Sequence, residues 1–114
     1  MSIVVFDEGD LVRLGNPSTD TDSDPFRNIT GAAADPDSVV LTVKRPDGTN
    51  YELGWPSAAA NGNLVHETTG RFYGDYEVLQ GQTGLFNWRF KGTGAVETAE
   101  MGLFYVRWSP ISTS

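Results

Sequence analysis

Residues 70–108, GRFYGDYEVLQGQTGLFNWRFKGTGAVETAEMGLFYVRW, carry the pattern that decides the fold. Within three pieces of this stretch, large apolar residues share one parity, while charged and amide residues fall on the other. Such a period of two is typical of β-strands that bury one face and expose the other. The apolar positions are Phe72, Tyr76, Phe86, Trp88, Phe90, Phe104, Val106 and Trp108. The stretch therefore predicts three strands that pack against a common core.

The rest of the chain also shows short strand patterns separated by turn-forming residues. Strands are predicted at residues 3–6, 11–14, 38–44, 50–53 and 64–67. The sequence Pro46-Asp47-Gly48 predicts a hairpin turn, because proline presets its own φ and glycine accepts a positive one. A second hairpin turn is predicted at Gly92-Thr93-Gly94, and residues 15–37 form a polar segment with little periodicity.

These patterns predict one all-β domain spanning residues 1–114. About seven to nine short strands with no helical period favour an immunoglobulin-like antiparallel β-sandwich. A small closed barrel would produce the same pattern and stays an alternative. The residues predicted to share one core are Val39, Leu41, Val43, Phe72, Phe86, Trp88, Phe90, Phe104 and Val106.

Charge and composition exclude several classes of partner. The chain has eight Lys and Arg residues against 15 Asp and Glu residues, a net charge of −7. Phosphate backbones and anionic lipid surfaces attract basic faces, so we expect neither nucleic acid nor membrane as a partner. No cysteine is present, which removes disulfides, thiol nucleophiles and thiolate metal sites. The first ten residues lack the basic start and the long apolar run of a signal peptide.

Acidic residues in the long polar segment do not form a recognisable calcium loop. Asp20, Asp22 and Asp24 alternate as the first ligands of an EF-hand do. That loop also needs glycine at its sixth position and glutamate at its twelfth, where this chain has Pro25 and Gly31. We therefore expect no metal site and no cofactor.

The titratable residues give no catalytic constellation either. His66 is the only histidine, and no nucleophile motif accompanies it. Asp75 and Glu77 lie two residues apart on a predicted strand, where solvated carboxylates are expected rather than a glycosidase pair across a cleft. We expect no catalytic residues and predict that the chain is not an enzyme.

Exposed aromatic residues leave a second function open. Trp55, Tyr73 and Tyr105 fall in a loop or on the outward parity of predicted strands. Several coplanar exposed rings could stack on a sugar, so a carbohydrate- or ligand-binding sandwich is the alternative function.

The order of motifs resembles that of a group of small proteins of tailed bacteriophages. The motifs are FDEGDLVRLG at residues 6–15, DPDSVVLTVKRPDGT at 35–49, TGRFYGDY at 69–76 and GLFNWRFKGTGAVETAEMGLFYV at 84–106. These phage proteins have an immunoglobulin-like fold and occur among head, neck and tail structural components. The resemblance covers most of the chain and leaves out residues 20–34 and the last few residues.

The resemblance implies a virion structural protein without catalysis. Such a protein is made in the cytoplasm of the host bacterium and decorates the capsid, joins head to tail, or serves as a tail accessory. Its partners would be major capsid, neck or tail-tube subunits, and it would be present as a homo-oligomer or in many copies.

The N-terminal segment is the predicted docking site of such a protein. Ile3, Val4, Val5 and Phe6 are apolar on both parities, so a strand there needs cover on both faces. It lies either inside its own sandwich or against a neighbouring subunit, and the resemblance favours the neighbour. Trp55 with its surrounding loop is the next candidate interface.

Overall fold

A computed structural model of the chain describes residues 4–7, 9–19, 24–79, 81–94 and 98–107. The described residues form eight β-strands and no helix, which confirms the predicted all-β class. The strands are β1 (Val4–Asp7), β2 (Leu11–Gly15), β3 (Ser38–Lys44), β4 (Asn50–Trp55), β5 (Val65–Thr68), β6 (Arg71–Glu77), β7 (Gly84–Thr93) and β8 (Thr98–Arg107).

Two sheets pack face to face as a sandwich. One sheet has five strands in the order β1-β8-β7-β3-β4, and the other has three in the order β2-β6-β5. Neighbouring strands are antiparallel except for β1 and β8, which run parallel. The β1–β8 pair brings together residues from opposite ends of the sequence.

The core between the sheets contains most of the residues that the alternating pattern predicted to face inward. Buried side chains come from both sheets, and eight of the nine predicted core residues are among them. Trp88 is the exception, because it is half-buried at the margin of the core. Its indole lies over Gly102 across the β7–β8 pair, where a Cβ atom would come within 2.5 Å of the indole nitrogen.

The predicted hairpin joins β7 to β8, but its turn begins later than the predicted residues 92–94. Strand β7 continues through Thr93, and Gly92 is a buried strand residue. A Cβ atom on Gly92 would lie 2.9 Å from both Phe26 and Pro36. Glycine is therefore required here because two side chains pack directly onto the strand backbone. The flanking residues 95–97 and Trp108 lie outside the described residues.

The polar segment before β3 contributes to the core, which its sequence pattern did not predict. Phe26 is buried, with its ring centroid 5.3 Å from that of Phe90 and 6.0 Å from that of Phe72. Its backbone N–H donates to the Gly70 carbonyl, and its carbonyl accepts from Ala34. A segment without regular strands thus closes one end of the sandwich.

The two edges of the five-stranded sheet differ in how they are covered. At β4, the amide of Gly54 donates to Gly62, and the Gly54 carbonyl accepts from Leu64, so the loop after β4 pairs with that edge. At β1, one edge pairs with β8, and within the described residues no strand pairs with the other. Among the described residues, β1 therefore has one edge without a strand partner.

Candidate functional site

The predicted N-terminal docking segment becomes strand β1. Val5 lies opposite Tyr105 of β8 and Phe6 lies opposite Val106, while Ile3 lies outside the described residues. The segment therefore belongs to its own sandwich along one edge, which is the first of the two alternatives that the sequence left. Its other edge is where a neighbouring strand could add.

The two parities of β1 face different environments. Phe6 is half-buried and packs edge-on against Phe104, with ring centroids 5.5 Å apart and planes at 88°. Val5 points to the other side of the sheet and is 51% exposed. The inward parity serves the core, and the outward parity has no such role.

Val5 is part of an exposed apolar row that crosses three strands. Tyr105 pairs with Val5 on one side and with Leu85 of β7 on the other, so the three share one row of the outer sheet face. Tyr105 is 43% exposed and Leu85 is 42% exposed. Directly opposed side chains lie about 5 Å apart at Cβ, so the row forms one contiguous apolar surface. We call these three residues the apolar row.

The sequence pattern predicts that Tyr105 faces outward, but it does not join Tyr105 to the N-terminal segment. The pattern does not single out Leu85. Leu85 lies on the outward parity of the strand that contains Phe86, where polar residues are normally found. An apolar residue at such a position is the sequence signal that points to an exposed apolar surface. The register between strands distant in sequence is what brings Val5, Leu85 and Tyr105 together.

An ion pair between β1 and β8 lies two residues beyond the Val5–Tyr105 pair of the apolar row. The Arg107 guanidinium donates to the Asp7 carboxylate, with Nε 2.6 Å from Oδ1, and the two residues are paired across β1 and β8. This hydrogen bond lowers the pKa of the Asp7 carboxyl below its ordinary value, because it stabilises the charged form. The pair links the short edge strand to β8 beside the apolar row.

We expect an NMR titration of the Asp7 carboxyl to show a midpoint below 3.8. Because the folded-state pKa is lowered, the pair stabilises the fold above the unfolded-state pKa, and that contribution is lost as pH falls through the folded-state value. Arg107→Gln should return the midpoint to near 3.8. Arg13→Gln, which breaks an ion pair on the other sheet, should leave it unchanged. A wild-type midpoint at or above 3.8 would contradict the pairing.

Trp55, the other predicted interface residue, lies far from β1. It ends β4, at the opposite edge of the five-stranded sheet and four strand spacings from β1, about 19 Å. Its half-buried ring packs against Phe72, with centroids 4.8 Å apart, and against His66 at 4.9 Å. The structure therefore does not join Trp55 to the N-terminal segment in one surface.

The three candidate sugar-stacking aromatics do not form a platform. Trp55 packs toward the core, Tyr105 lies on the outer face of the five-stranded sheet, and Tyr73 belongs to the three-stranded sheet. The Arg13 guanidinium lies 4.0 Å above the Tyr73 ring and is held there by two hydrogen bonds to Asp75. No two of these rings share an exposed face.

His66, the single histidine, makes packing and polar contacts within the fold. Its Nε2 lies 3.0 Å from Asp35 Oδ1, which also accepts the Gly70 N–H, and its ring stacks on Phe72 at 4.7 Å. His66 thus joins the edge strand β5 to the segment before β3. Asp20 and Asp22 of the acidic loop lie outside the described residues. Among the residues the structure describes, no cluster of His, Asp or Glu side chains is arranged to hold a metal ion.

These observations define the chain as a two-sheet all-β sandwich in which an exposed apolar row lies beside the edge strand β1. The chain matches no protein-family model, no curated protein and no solved structure. Within the described ranges, no helix is long and apolar enough to cross a membrane.

Proposed function

We propose that this chain is a non-catalytic structural protein of a tailed-bacteriophage virion that docks on neighbouring virion proteins. The observation that carries the docking part is the open edge of β1 with the apolar row beside it. The virion part rests on the resemblance of its motifs to those of small phage head, neck and tail proteins. The chain would be made in the host cytoplasm and assembled in many copies as a capsid decoration, head-tail joining or tail accessory component.

An open strand edge supplies what such docking requires. Its unpaired N–H and C=O groups can form hydrogen bonds with an added strand, except at Asp7, whose N–H donates to the Asp10 carboxylate and whose carbonyl accepts from the Asp10 N–H. Side chains next to the edge select the partner. Soluble proteins normally cover or charge such edges to prevent aggregation, as the loop after β4 does at the other end of this sheet. An edge left open beside three exposed apolar side chains therefore favours an interface.

The strand order supports the immunoglobulin-like part of the proposal. In that fold, strands G, F and C are neighbours in one sheet, with C′ added in the variable type, and B, E and D are neighbours in the other. If β2 is taken as B, then β8-β7-β3-β4 matches G-F-C-C′ and β2-β6-β5 matches B-E-D.

Val5→Lys tests the proposed docking surface. The change places a charge in the apolar row without touching the core, so we expect the variant to fold normally and its incorporation into particles to fall at least tenfold. Leu11→Lys is the matched control, because Leu11 is also an exposed aliphatic residue on an edge strand, 62% exposed, but lies in the other sheet. Quantitative mass spectrometry of purified particles gives the copy number of each form.

The two parts of the proposal fail in different ways in this experiment. Absence of the wild-type chain from purified particles would overturn the virion role. Normal incorporation of Val5→Lys would overturn the docking surface and leave the virion role standing. A circular dichroism melt of each variant shows whether the substitution has changed the fold itself.

A further inference from the structure

A short turn at one end of the sandwich has its shape fixed by its own side chains. Residues 28–31 lie at the tip of a small hairpin closed by the Arg27–Ala33 bridge. The Asn28 side-chain oxygen accepts from the Thr30 N–H at 3.0 Å, the Thr30 hydroxyl at 2.6 Å and the Ala32 N–H at 3.1 Å. We call residues 28–31 the braced turn.

The braced turn presents an isoleucine to solvent. Ile29 is 99% exposed, so its side chain makes almost no contact with its own chain. A side chain held on a rigid tip loses less conformational entropy on binding than one on a mobile loop. An apolar anchor that enters a partner's pocket is the usual centre of a protein interface.

A cleft of about 380 Å³ lies between the start of β3 and the segment that follows β4. Its apolar lining includes Val40, Trp55, Pro56, Ala58 and Ala59. The segment that follows β4 folds back onto the backbone of β4. A Cβ atom on Gly54 of that strand would come within 2.7 Å of the Ser57 carbonyl oxygen. The volume is at the small end of the range for ligand pockets, about 300 to 1,000 Å³, and accommodates an aliphatic side chain.

Charges beside the two features are opposite. The Arg27 guanidinium donates to the Gly31 carbonyl at 2.9 Å, so it lies along the braced turn. It is half-exposed and also lies 3.9 Å from the carboxylate of Asp24, which is itself exposed. Asp37 lines the cleft, and within the described part of the chain it has no ion-pair partner. Its carboxyl lies against Gly94, a position where no other side chain would fit. A contact that seats Ile29 in the cleft would let Arg27 exchange its long, exposed ion pair with Asp24 for one with Asp37 of another copy.

We propose that this protein self-associates by inserting Ile29 of one copy into the cleft of another. Arg27 at the base of the turn then pairs with the partner's Asp37 across the contact. The occupant is a second copy because both complementary surfaces are present on this chain, and the near-complete exposure of Ile29 shows that it does not fill its own cleft. The contact is separate from the β1 edge, so it does not depend on the proposed virion docking.

Sedimentation velocity over a concentration series tests the contact with the purified full chain. We expect the wild-type protein to associate reversibly and Ile29→Asp to weaken the association at least tenfold. Leu11→Asp is the control, since it adds the same charge at another exposed aliphatic side chain and should associate as the wild type does. Val5→Lys should also associate normally, because the β1 edge is not involved.

Mixing two defective variants gives the decisive result. Ala58→Trp fills the cleft and should weaken self-association as Ile29→Asp does. An equimolar mixture should form a heterodimer, because the intact turn of the Ala58→Trp chain can enter the intact cleft of the Ile29→Asp chain. A wild-type protein that stays monomeric at all concentrations, unchanged association of Ile29→Asp, or no recovery in the mixture would each overturn the proposal.

Discussion

Asn16→Ala is expected to lower the free energy of unfolding by about 2–4 kcal/mol, because it leaves buried backbone groups without hydrogen-bond partners. Asn16 is only 2% exposed. Its side-chain oxygen accepts the Phe72 N–H at 2.8 Å, and its amide donates to the Asp24 and Gly70 carbonyls, both at 2.9 Å. The Gly70 carbonyl keeps a second donor, the Phe26 N–H, so the loss falls mainly on the other two groups.

Urea unfolding followed by tryptophan fluorescence measures this cost as a shift in midpoint at unchanged slope. Asn87→Ala is the matched control, because Asn87 is exposed on the outer face of β7, and its replacement should change stability by less than about 0.5 kcal/mol. A cost below about 1 kcal/mol for Asn16→Ala would mean that water satisfies the freed groups and that the side-chain hydrogen bonds of Asn16 contribute little.

Phe86→Ala is expected to cost about 3–5 kcal/mol, the range for removing a large buried aromatic ring. Phe86 is fully buried, stacks on Phe104 with centroids 4.8 Å apart, and meets Tyr76 of the opposite sheet at 5.8 Å. Its removal opens a cavity at the centre of the core, and the aromatic neighbours on both sheets lose contacts.

Trp88→Ala should cost less, about 1–2 kcal/mol, because part of the indole surface is already in water. This reverses the order expected from side-chain size alone, and chemical unfolding followed by far-UV circular dichroism compares the two variants. Leu85→Ala, an exposed neighbour on the same strand, controls for the loss of strand propensity. A larger cost for Trp88→Ala than for Phe86→Ala would show that the Trp88–Gly102 contact contributes more than the central core.

Short-range periodicity predicted most of the sandwich correctly. The alternation in β3, β6 and β7 identified which side chains face inward, because successive residues of a strand point to opposite faces. The predicted turn at residues 46–48 is confirmed as well, with Gly48 at φ +90° and the Thr49 carbonyl accepting from Arg45. The turn between β7 and β8 begins later than predicted because Gly92 makes room for Phe26 within the strand, and only Gly94 lies beyond β7 with a positive φ.

The candidate docking surface was predicted only in part. The apolar composition of the N-terminal segment pointed to β1, but it did not reveal that Leu85 and Tyr105 extend the surface. Trp55, the next candidate interface, lies four strand spacings from β1, so it remains a separate prediction from the N-terminal surface. Position within a sheet depends on strand order, which a local pattern does not contain.

The amino-acid sequence by itself determined the all-β class, the strand positions and the inward-facing residues, since these depend on neighbours one or two positions away. Tertiary structure alone decided that β1 pairs in parallel with the last strand, that Phe26 enters the core and that Asn16 joins three segments. Each of these joins residues far apart in the chain, and the bonds form only when packing of the two sheets holds the partners together. The open edge and the apolar row beside it follow from that long-range order.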